Sequence, residues 1–282
     1  MSLLTGLSNR LTKYLAIGIV KLLQNFAPRL LVEIKERGSV ITQMDYAPHK
    51  IMLAADSIIE YTTRKNSSKK EPETIRWIET YIVEGDVVYD IGANVGAYSL
   101  VIDRHTGGRA KVYAFEPSFS TFAQLNRNIF INSCQGRVIP LYIALSNKTQ
   151  VSVLNYSSLT PGTALHAVGE PKDHLGHAFK PVFEQPVLSY RIDDLIEDFH
   201  IEMPNHIKLD VDGVEWEILQ GAEHVLEYTS LKSIQVEMEP SLPSCKVITD
   251  YLISKGFRLE TVQHHGASPM NTSNYLFVRG PE

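Results

Sequence analysis

The chain has 282 residues, 44% of which are hydrophobic, and a formal net charge of −5. This length allows one large domain with an appendage or two small domains, and the acidic balance argues against a sequence-independent grip on nucleic acid, which favours a basic surface. The two cysteines, Cys134 and Cys245, form neither a CxxC pair nor a ligand cluster, which argues against a disulfide scaffold or structural zinc. A reducing, cytoplasmic location fits best.

The first 70 residues predict a helical N-terminal extension with a short extended piece near residues 39–43. Apolar or small residues recur there at three- and four-residue spacing, which predicts one face of a helix. They are Leu4, Leu7, Leu11, Leu15, Gly18 and Leu22. The uncharged run from Tyr14 to Val20 is far shorter than the ~20 residues of a membrane span. We expect the face to pack on its own domain or in a homodimer. The alternative is a membrane-surface helix with Lys13, Lys21 and Arg29 at its polar edge.

The polar segment 64–73, RKNSSKKEPE, is typical of a linker, and Pro72 suits the start of a helix. Over residues 71–282 strands and helices alternate, which predicts one domain on a mainly parallel sheet with helices on both faces. Predicted strands cover 87–91, 111–116, 137–145, 206–210 and 231–239; predicted helices cover 119–132, 214–226 and 244–256; an antiparallel pair, 257–263 with 274–280, closes the chain. Segments 150–156 and 185–190 are predicted as edge strands around a long polar stretch.

The turn after the first strand of this domain indicates a ligand site, because ligands bind beyond the carboxyl ends of parallel strands. Asp90 ends the strand, and Gly92, Asn94 and Gly96 then form a turn that exposes N–H groups at a helix N-terminus. Glu116 ends the second strand, and a carboxylate there can accept both hydroxyls of a ribose. The turn lacks the third glycine of the dinucleotide fingerprint GxGxxG. The two features together predict nucleoside binding.

Seven blocks of the sequence, in order, resemble the FkbM family of S-adenosylmethionine-dependent methyltransferases. They are DIGANVGAYSL, AFEPS, LNRNIFIN, ALSN, IDDL, IKLDVDGVEWEILQGA and VEME, spread over residues 70–280. The resemblance implies an α/β class I methyltransferase fold, which is Rossmann-like, with a mainly parallel seven-stranded sheet, helices on both faces and an antiparallel last strand. It also implies S-adenosylmethionine as the cofactor.

Site residues follow from the resemblance by position. Asp90, Gly92, Asn94 and Gly96 would surround the methionine moiety of the cofactor, with Asp90 near its ammonium, and Glu116 would hold the ribose. The ALSN stretch, which includes Ala144 and Ser146, would border the adenine. Many relatives carry an acid where this chain has Asn147, which leaves the adenine contact there open. The KLDVDG block would form the floor beneath the transferable methyl group.

Methyl transfer to an alcohol needs alignment of the reacting atoms and removal of a proton. We expect Asp210 and Asp212 to be the catalytic carboxylates, with Asp210 as the essential acid. Asp210, Glu237 and Glu239 are also candidate ligands for a divalent cation, which stays open; alternatively, Lys208 neutralises the acids. Histidines are the other base candidates, and they are His166, His174, His177, His264 and His265.

The sequence thus predicts an O-methyltransferase that acts on a hydroxyl of a sugar or glycan, or of a small-molecule natural product, and not on nucleic acid. The Asn/Asp-Pro-Pro-Tyr/Phe segment usual in base N-methylation is absent after the fourth strand, where the chain has DVDG. One alternative is a catalytically idle protein that binds S-adenosylmethionine and partners another enzyme. The other is an NAD-dependent oxidoreductase, which the missing third glycine disfavours.

Overall fold

The computed structural model describes residues 2–164, 166–173, 175–264 and 272–280, with side chains from residue 11 onward. The helices are α1 (Ser2–Phe26), α2 (Pro28–Arg37), α3 (Ile58–Thr62), α4 (Ser67–Lys70), α5 (Pro72–Tyr81), α6 (Ala97–His105), α7 (Phe119–Ile131), α8 (Ile192–Phe199), α9 (Glu215–Gln220) and α10 (Pro243–Ser254). Short 3-10 turns cover Arg64–Asn66 and Val225–Glu227. The chain divides into two compact units, Met1–Ile41 and Thr42–Glu282.

The strands are β1 (Val40–Gln43), β2 (Met52–Ala55), β3 (Val87–Ile91), β4 (Lys111–Phe115), β5 (Val138–Leu141), β6 (Ala144–Leu145), β7 (Gln150–Tyr156), β8 (Ala167–Val168), β9 (Phe183–Tyr190), β10 (His206–Leu209), β11 (Ser233–Met238), β12 (Phe257–His264) and β13 (Ser273–Arg279). β1 and β2 form a two-stranded sheet. The extended piece predicted near residues 39–43 is therefore present as β1, whereas β2 was not predicted.

The smaller unit is helical, as predicted. Pro28 lies in the first turn of α2, where a missing N–H costs nothing. α2 ends at Gly38, whose N–H donates to the Ile34 carbonyl. None of the α2 side chains is buried. No helix in the described part of the chain combines the length and the hydropathy that a membrane crossing requires.

The larger unit contains a seven-stranded sheet in the order β12-β13-β11-β10-β3-β4-β5. Strands β11, β10, β3, β4 and β5 are mutually parallel, and β13 runs antiparallel to both β11 and β12. This confirms the predicted fold class, including the closing antiparallel pair. The parallel strands end at one edge of the sheet, so their following loops meet there.

Side chains of β3 alternate between two cores, one on each face of the sheet. Tyr89 faces the core built by α8, α9 and α10, and Val88 faces the core built by α5, α6 and α7. Ile51 and Leu53, from before α5, are buried in the second core. The division between Ile41 and Thr42 thus leaves residues 42–70 in the larger unit, whereas the predicted N-terminal extension reached residue 70.

Four predicted elements differ from the structure. The strand predicted over 137–145 divides into β5 and β6, which lie in different sheets. Pro140 lacks an N–H, which a strand tolerates only at a sheet edge, and β5 is that edge strand. β7 and β9, predicted as edge strands, pair with each other at the centre of a four-stranded sheet, β6-β9-β7-β8. The helix predicted over 214–226 is α9, which ends at Gly221, followed by a 3-10 turn.

Candidate active site

The turn after β3 is compressed between two neighbouring strand ends. Gly92 has a φ of +80°, and a Cβ atom there would lie 2.0 Å from the carbonyl oxygen of Asp210, so a side chain is excluded. The N–H groups of Gly92 and Ala93 both donate to the Phe115 carbonyl, at 3.1 and 3.0 Å. Gly96 has a φ of +83° and directly precedes α6. The turn therefore joins the ends of β3, β4 and β10. The predicted exposure of its N–H groups is not seen, because those of Gly92 and Ala93 donate to Phe115 and that of Asn94 donates to Glu116.

Glu116 follows β4 and is held by this turn. Its Oε2 accepts the backbone N–H of Asn94 at 3.0 Å, and its Oε1 accepts the N–H of Ser118 at 2.8 Å. Burial raises the pKa of Glu116 to about 7, although these two hydrogen bonds and the Arg64 guanidinium oppose the shift. A carboxylate oxygen has two lone pairs, so each oxygen can accept one more donor. Two adjacent hydroxyls match this arrangement.

Asp90 is the penultimate residue of β3, behind the turn, and is 1% exposed. Its Oδ2 accepts the Ser99 hydroxyl at 2.5 Å, and its Oδ1 is buried without a hydrogen-bond partner among the described residues. Burial raises the pKa of Asp90, against the attraction of the Lys208 ammonium on the neighbouring strand. Asp90 thus carries an unmet capacity to accept a hydrogen bond.

At the end of β10, the buried Lys208 forms an ion pair with Asp210, whose side chain is 30% exposed. The Nζ of Lys208 lies 2.5 Å from Oδ2 of Asp210 and 4.9 Å from the centre of the Tyr98 ring. Burial opposes the charge of Lys208, but the carboxylates of Asp210, Glu71 and Asp90 outweigh it and raise its pKa. Burial likewise opposes the charge of Asp210, yet Lys208, Lys70 and Arg64 lower its pKa to about 2. The alternative that Lys208 neutralises the acids therefore holds for Asp210.

A cleft opens over these groups at the carboxyl edge of the sheet. Much of its lining is apolar, including Phe115, Ile143, Ala144, Leu145, Leu154, Val168 and Ile218. Of the predicted cofactor residues, Gly92, Asn94, Glu116 and Ala144 line the cleft, whereas Asp90, Gly96 and Ser146 lie outside its lining. The Ser146 N–H donates to the Tyr190 carbonyl, and Asn147 Nδ2 donates to Gln220 at 3.1 Å.

Asp210, Asp212 and Glu237 also line the cleft. Asp212 and Glu237 also line a smaller cavity, which Glu239 and Trp216 share. Glu239 Oε1 accepts both the N–H and the hydroxyl of Ser241, at 3.2 and 2.8 Å. Within the described ranges, no group of three or more His, Cys, Asp or Glu side chains converges to hold a metal ion.

The histidines predicted as alternative bases are dispersed. His166 lines the cleft against the Tyr156 ring, and burial lowers its pKa to about 4. His177 is exposed and lies 3.4 Å from Asp173. His264 lies on β12, with its Nδ1 2.7 Å from the Ser273 hydroxyl. His174 and His265 lie outside the described residues.

The prediction of the site missed the segment before α5. Arg64, Ser67, Lys70 and Glu71 all line the cleft, although RKNSSKKEPE was interpreted as a linker. The one available signal was the cluster of basic residues, which composition cannot distinguish from a solvated loop. Thr163 was also missed, and its carbonyl accepts the Asn94 side chain at 3.2 Å.

Comparison with known proteins identifies relatives of the chain. The sequence profile described as the methyltransferase FkbM domain matches residues 90–259. The chain is 26% identical over 179 residues to the hexuronic acid methyltransferase AglP of Haloferax volcanii. This match covers 63% of this chain and 67% of the relative. It is 27% identical over 176 residues to the methyltransferase sdnD of Sordaria araneosa. This match covers 55% of this chain and 67% of the relative.

Among solved structures, the chain is similar to a methyltransferase FkbM from Methylobacillus flagellatus KT. The TM-score is 0.48 at 17% sequence identity, and the match covers 69% of this chain. The chain spans 44% of the length of that structure.

Proposed function

The chain belongs to the FkbM family of methyltransferases, and from this premise we propose that it is an S-adenosylmethionine-dependent O-methyltransferase. The acceptor proposed is a hydroxyl of a sugar or glycan, or of a small-molecule natural product. The name of AglP, a hexuronic acid methyltransferase, supports a sugar-type acceptor. The observation that carries the proposal is the Glu116 carboxylate, anchored by Asn94 and Ser118 at the rim of the glycine turn.

The residues of the cleft fit this cofactor. Glu116 would accept the two ribose hydroxyls, and the apolar lining around Ala144 and Leu145 would cover the adenine. Gly92 and Asn94 would border the methionyl part, and the buried, unsatisfied Oδ1 of Asp90 lies behind them. When bound, S-adenosylmethionine supplies an electrophilic methyl group. The protein's part is to align the acceptor and to take up its proton.

The proton is assigned to a different carboxylate from the one expected. Asp210 was expected to be the essential acid, but a pKa of about 2 makes its ionised form a weak base. We assign proton acceptance to Asp212, because it lines both the cleft and the adjoining cavity where an acceptor would enter. Asp210 then balances the buried charge of Lys208 and keeps the floor of the cleft in place.

Calorimetric titration with S-adenosylhomocysteine tests cofactor binding. We expect Glu116→Ala to weaken binding by about 1.5–3 kcal/mol, the scale of a lost hydrogen bond to a charged group. Glu197→Ala, an exposed glutamate on α8, is the control and should bind as the wild type does. Titration with NADH addresses the oxidoreductase alternative. Absence of heat with S-adenosylhomocysteine, or binding of NADH alone, would refute the proposal.

Two asparagine variants test the roles of the acids. Asp210→Asn should lower the free energy of unfolding by about 3 kcal/mol, since it leaves the Lys208 ammonium buried without its partner. Asp212→Asn should leave stability unchanged and lower turnover by about 100-fold. The substrate for turnover is found by mass spectrometry, as a product in an extract of glycans and metabolites that gains one methyl group. Normal turnover in Asp212→Asn would contradict the assignment, and an idle binding protein would give no product.

Chelation tests the open question of a divalent cation. Because Asp210 is paired with Lys208, we expect turnover to be indifferent to EDTA. Loss of turnover with EDTA and its recovery with Mg²⁺ would instead assign a metal to the carboxylates around Glu237 and Glu239.

A further inference from the structure

A cationic wall of the cleft is built by residues that precede the FkbM match at residues 90–259. We infer that Lys70, together with Arg64, forms a carboxylate-binding subsite in this wall. The inference rests on the proposed function. Its ligand is either the α-carboxylate of the methionyl part of the cofactor or the carboxylate of an acidic acceptor such as a uronic acid.

The wall is tied to the domain at several points. The two carboxylate oxygens of Asp45 accept the N–H groups of Ser68 and Lys69, at 3.0 and 2.9 Å. The Tyr98 hydroxyl, on α6, donates to the Ser67 carbonyl at 3.2 Å. The helix that carries Lys70 is therefore held against α6, the helix that follows the glycine turn.

Arg64 links this wall to the opposite rim of the cleft. Its Nε and Nη2 donate to the Gly162 carbonyl, at 3.0 and 2.7 Å. These bonds use two of the five N–H groups of a guanidinium. Its positive charge favours ionisation of both Glu116 and Asp210.

Lys70 is the accessible cation of the wall. Its Nζ lies 2.7 Å from Oε1 of the buried Glu71, while 44% of the Lys70 side chain is exposed. One ammonium has three donors, so Lys70 can bind a second oxygen without releasing Glu71. Burial opposes its charge, but Glu71 and Asp210 raise its pKa, so Lys70 is charged at neutral pH. Lys208, the remaining lysine of the lining, is buried against Asp210.

The distribution of charge in the cleft favours a carboxylate at this position. Asp210, Asp212 and Glu237 provide negative charge in the lining of the cleft, which suits the sulfonium and ammonium of the cofactor but repels its carboxylate. Lys70 and Arg64 lie beside these acids on the N-terminal wall. Charge-assisted hydrogen bonds from lysine and arginine are the usual means of holding a carboxylate.

The experiment compares two ligands that differ in the amino-acid part. S-adenosylhomocysteine carries the carboxylate, and 5′-methylthioadenosine lacks the whole amino-acid group. For the cofactor source, Lys70→Met should weaken S-adenosylhomocysteine binding about tenfold or more and leave methylthioadenosine binding unchanged. Lys70→Arg should restore the affinity. Lys69→Met, which removes the same charge from the neighbouring exposed residue, should bind both ligands normally.

If the carboxylate belongs to the acceptor instead of the cofactor, the variants bind the ligands differently. Lys70→Met then leaves S-adenosylhomocysteine affinity intact but abolishes the chemical-shift changes that D-glucuronate induces in the S-adenosylhomocysteine-loaded protein. D-glucose serves as the uncharged reference. The inference is overturned if Lys70→Met affects neither ligand class, or if it weakens methylthioadenosine and S-adenosylhomocysteine equally. Tight binding of both nucleosides to the wild type would leave the proposed function standing in either case.

Discussion

Helices in the two units of the chain carry the same apolar pattern, but their apolar side chains are exposed in one unit and buried in the other. In the smaller unit, Leu15 on α1 is 61% exposed and Phe26 is 82% exposed. In the larger unit, Leu252 on α10 is 0% exposed and Trp77 on α5 is 2% exposed. Three- and four-residue spacing predicts an apolar face in both units, but a face is buried only where another surface covers it. Apolar periodicity therefore indicates a helix and not the stability that the helix provides.

The largest loss of folding and of binding is expected from a truncation beyond the boundary between the two units. Removal of residues 1–70 deletes Ile51 and Leu53 from the core, together with Arg64 and Lys70 from the cleft. Deleting one such core side chain typically costs about 2–5 kcal/mol, so we expect no folded protein by circular dichroism and no S-adenosylhomocysteine binding. A folded, binding-competent fragment would show that residues 42–70 are an appendage after all.

A matched pair of leucine substitutions measures the difference within folded protein. Both residues lie in helices, so helix propensity contributes equally. Leu252→Ala should lower the free energy of unfolding by about 2–5 kcal/mol, and Leu15→Ala should change it by less than about 0.5 kcal/mol. Urea denaturation of the two variants gives the comparison. An equally large loss for Leu15→Ala would indicate that α1 is covered by another molecule in solution.

Burial in the larger unit also predicts a pH dependence of binding. The pKa of Glu116 is raised to about 7, and ribose hydroxyls donate to the ionised form. S-adenosylhomocysteine affinity should therefore rise about tenfold between about pH 6 and pH 8. In the ligand-free protein the sign is reversed. The folded protein favours the protonated form of Glu116 more than the unfolded chain does. The contribution of Glu116 to the free energy of unfolding is therefore fully present below about pH 4.5 and is lost as the pH rises through about 7.

Glu116→Gln is the control for this dependence, because it cannot ionise. We expect its affinity for S-adenosylhomocysteine to be weaker than that of the wild type and flat over the same pH range, measured by calorimetry. A wild-type profile that is equally flat would mean that Glu116 does not bind the cofactor as its ionised form.

The smallest effect on the site is expected from removal of residues 1–38, which ends before β1. S-adenosylhomocysteine affinity should stay within about twofold, because all the described residues of the cleft lie in the larger unit. If the protein is a homodimer through the exposed apolar face of α1, we expect light scattering to show that the shortened chain is a monomer. If the oligomeric state is unchanged, sedimentation of the full-length chain with anionic lipid vesicles tests the membrane-surface alternative.

The sequence by itself predicted most strands and helices of the larger unit and the site residues at the ends of β3 and β4. Alternation of strands with helices predicted the parallel sheet, and Gly92 and Glu116 predicted the cleft, because glycine at a strand end and a carboxylate at the next one are local features. Spacing also placed Lys208 and Asp210 near each other, although only the structure shows that they pair at 2.5 Å.

The tertiary structure alone decided which distant segments meet. β5 and β6 separate into different sheets, and the segment around Lys70 becomes a wall of the cleft, although its composition is that of a linker. Asp210 has a low pKa because Lys208, Lys70 and Arg64 surround it, and two of these come from more than a hundred residues away. Periodicity encodes the face and the extent of an element. Burial and charge depend on the surfaces that fold against it, and those are set by long-range packing.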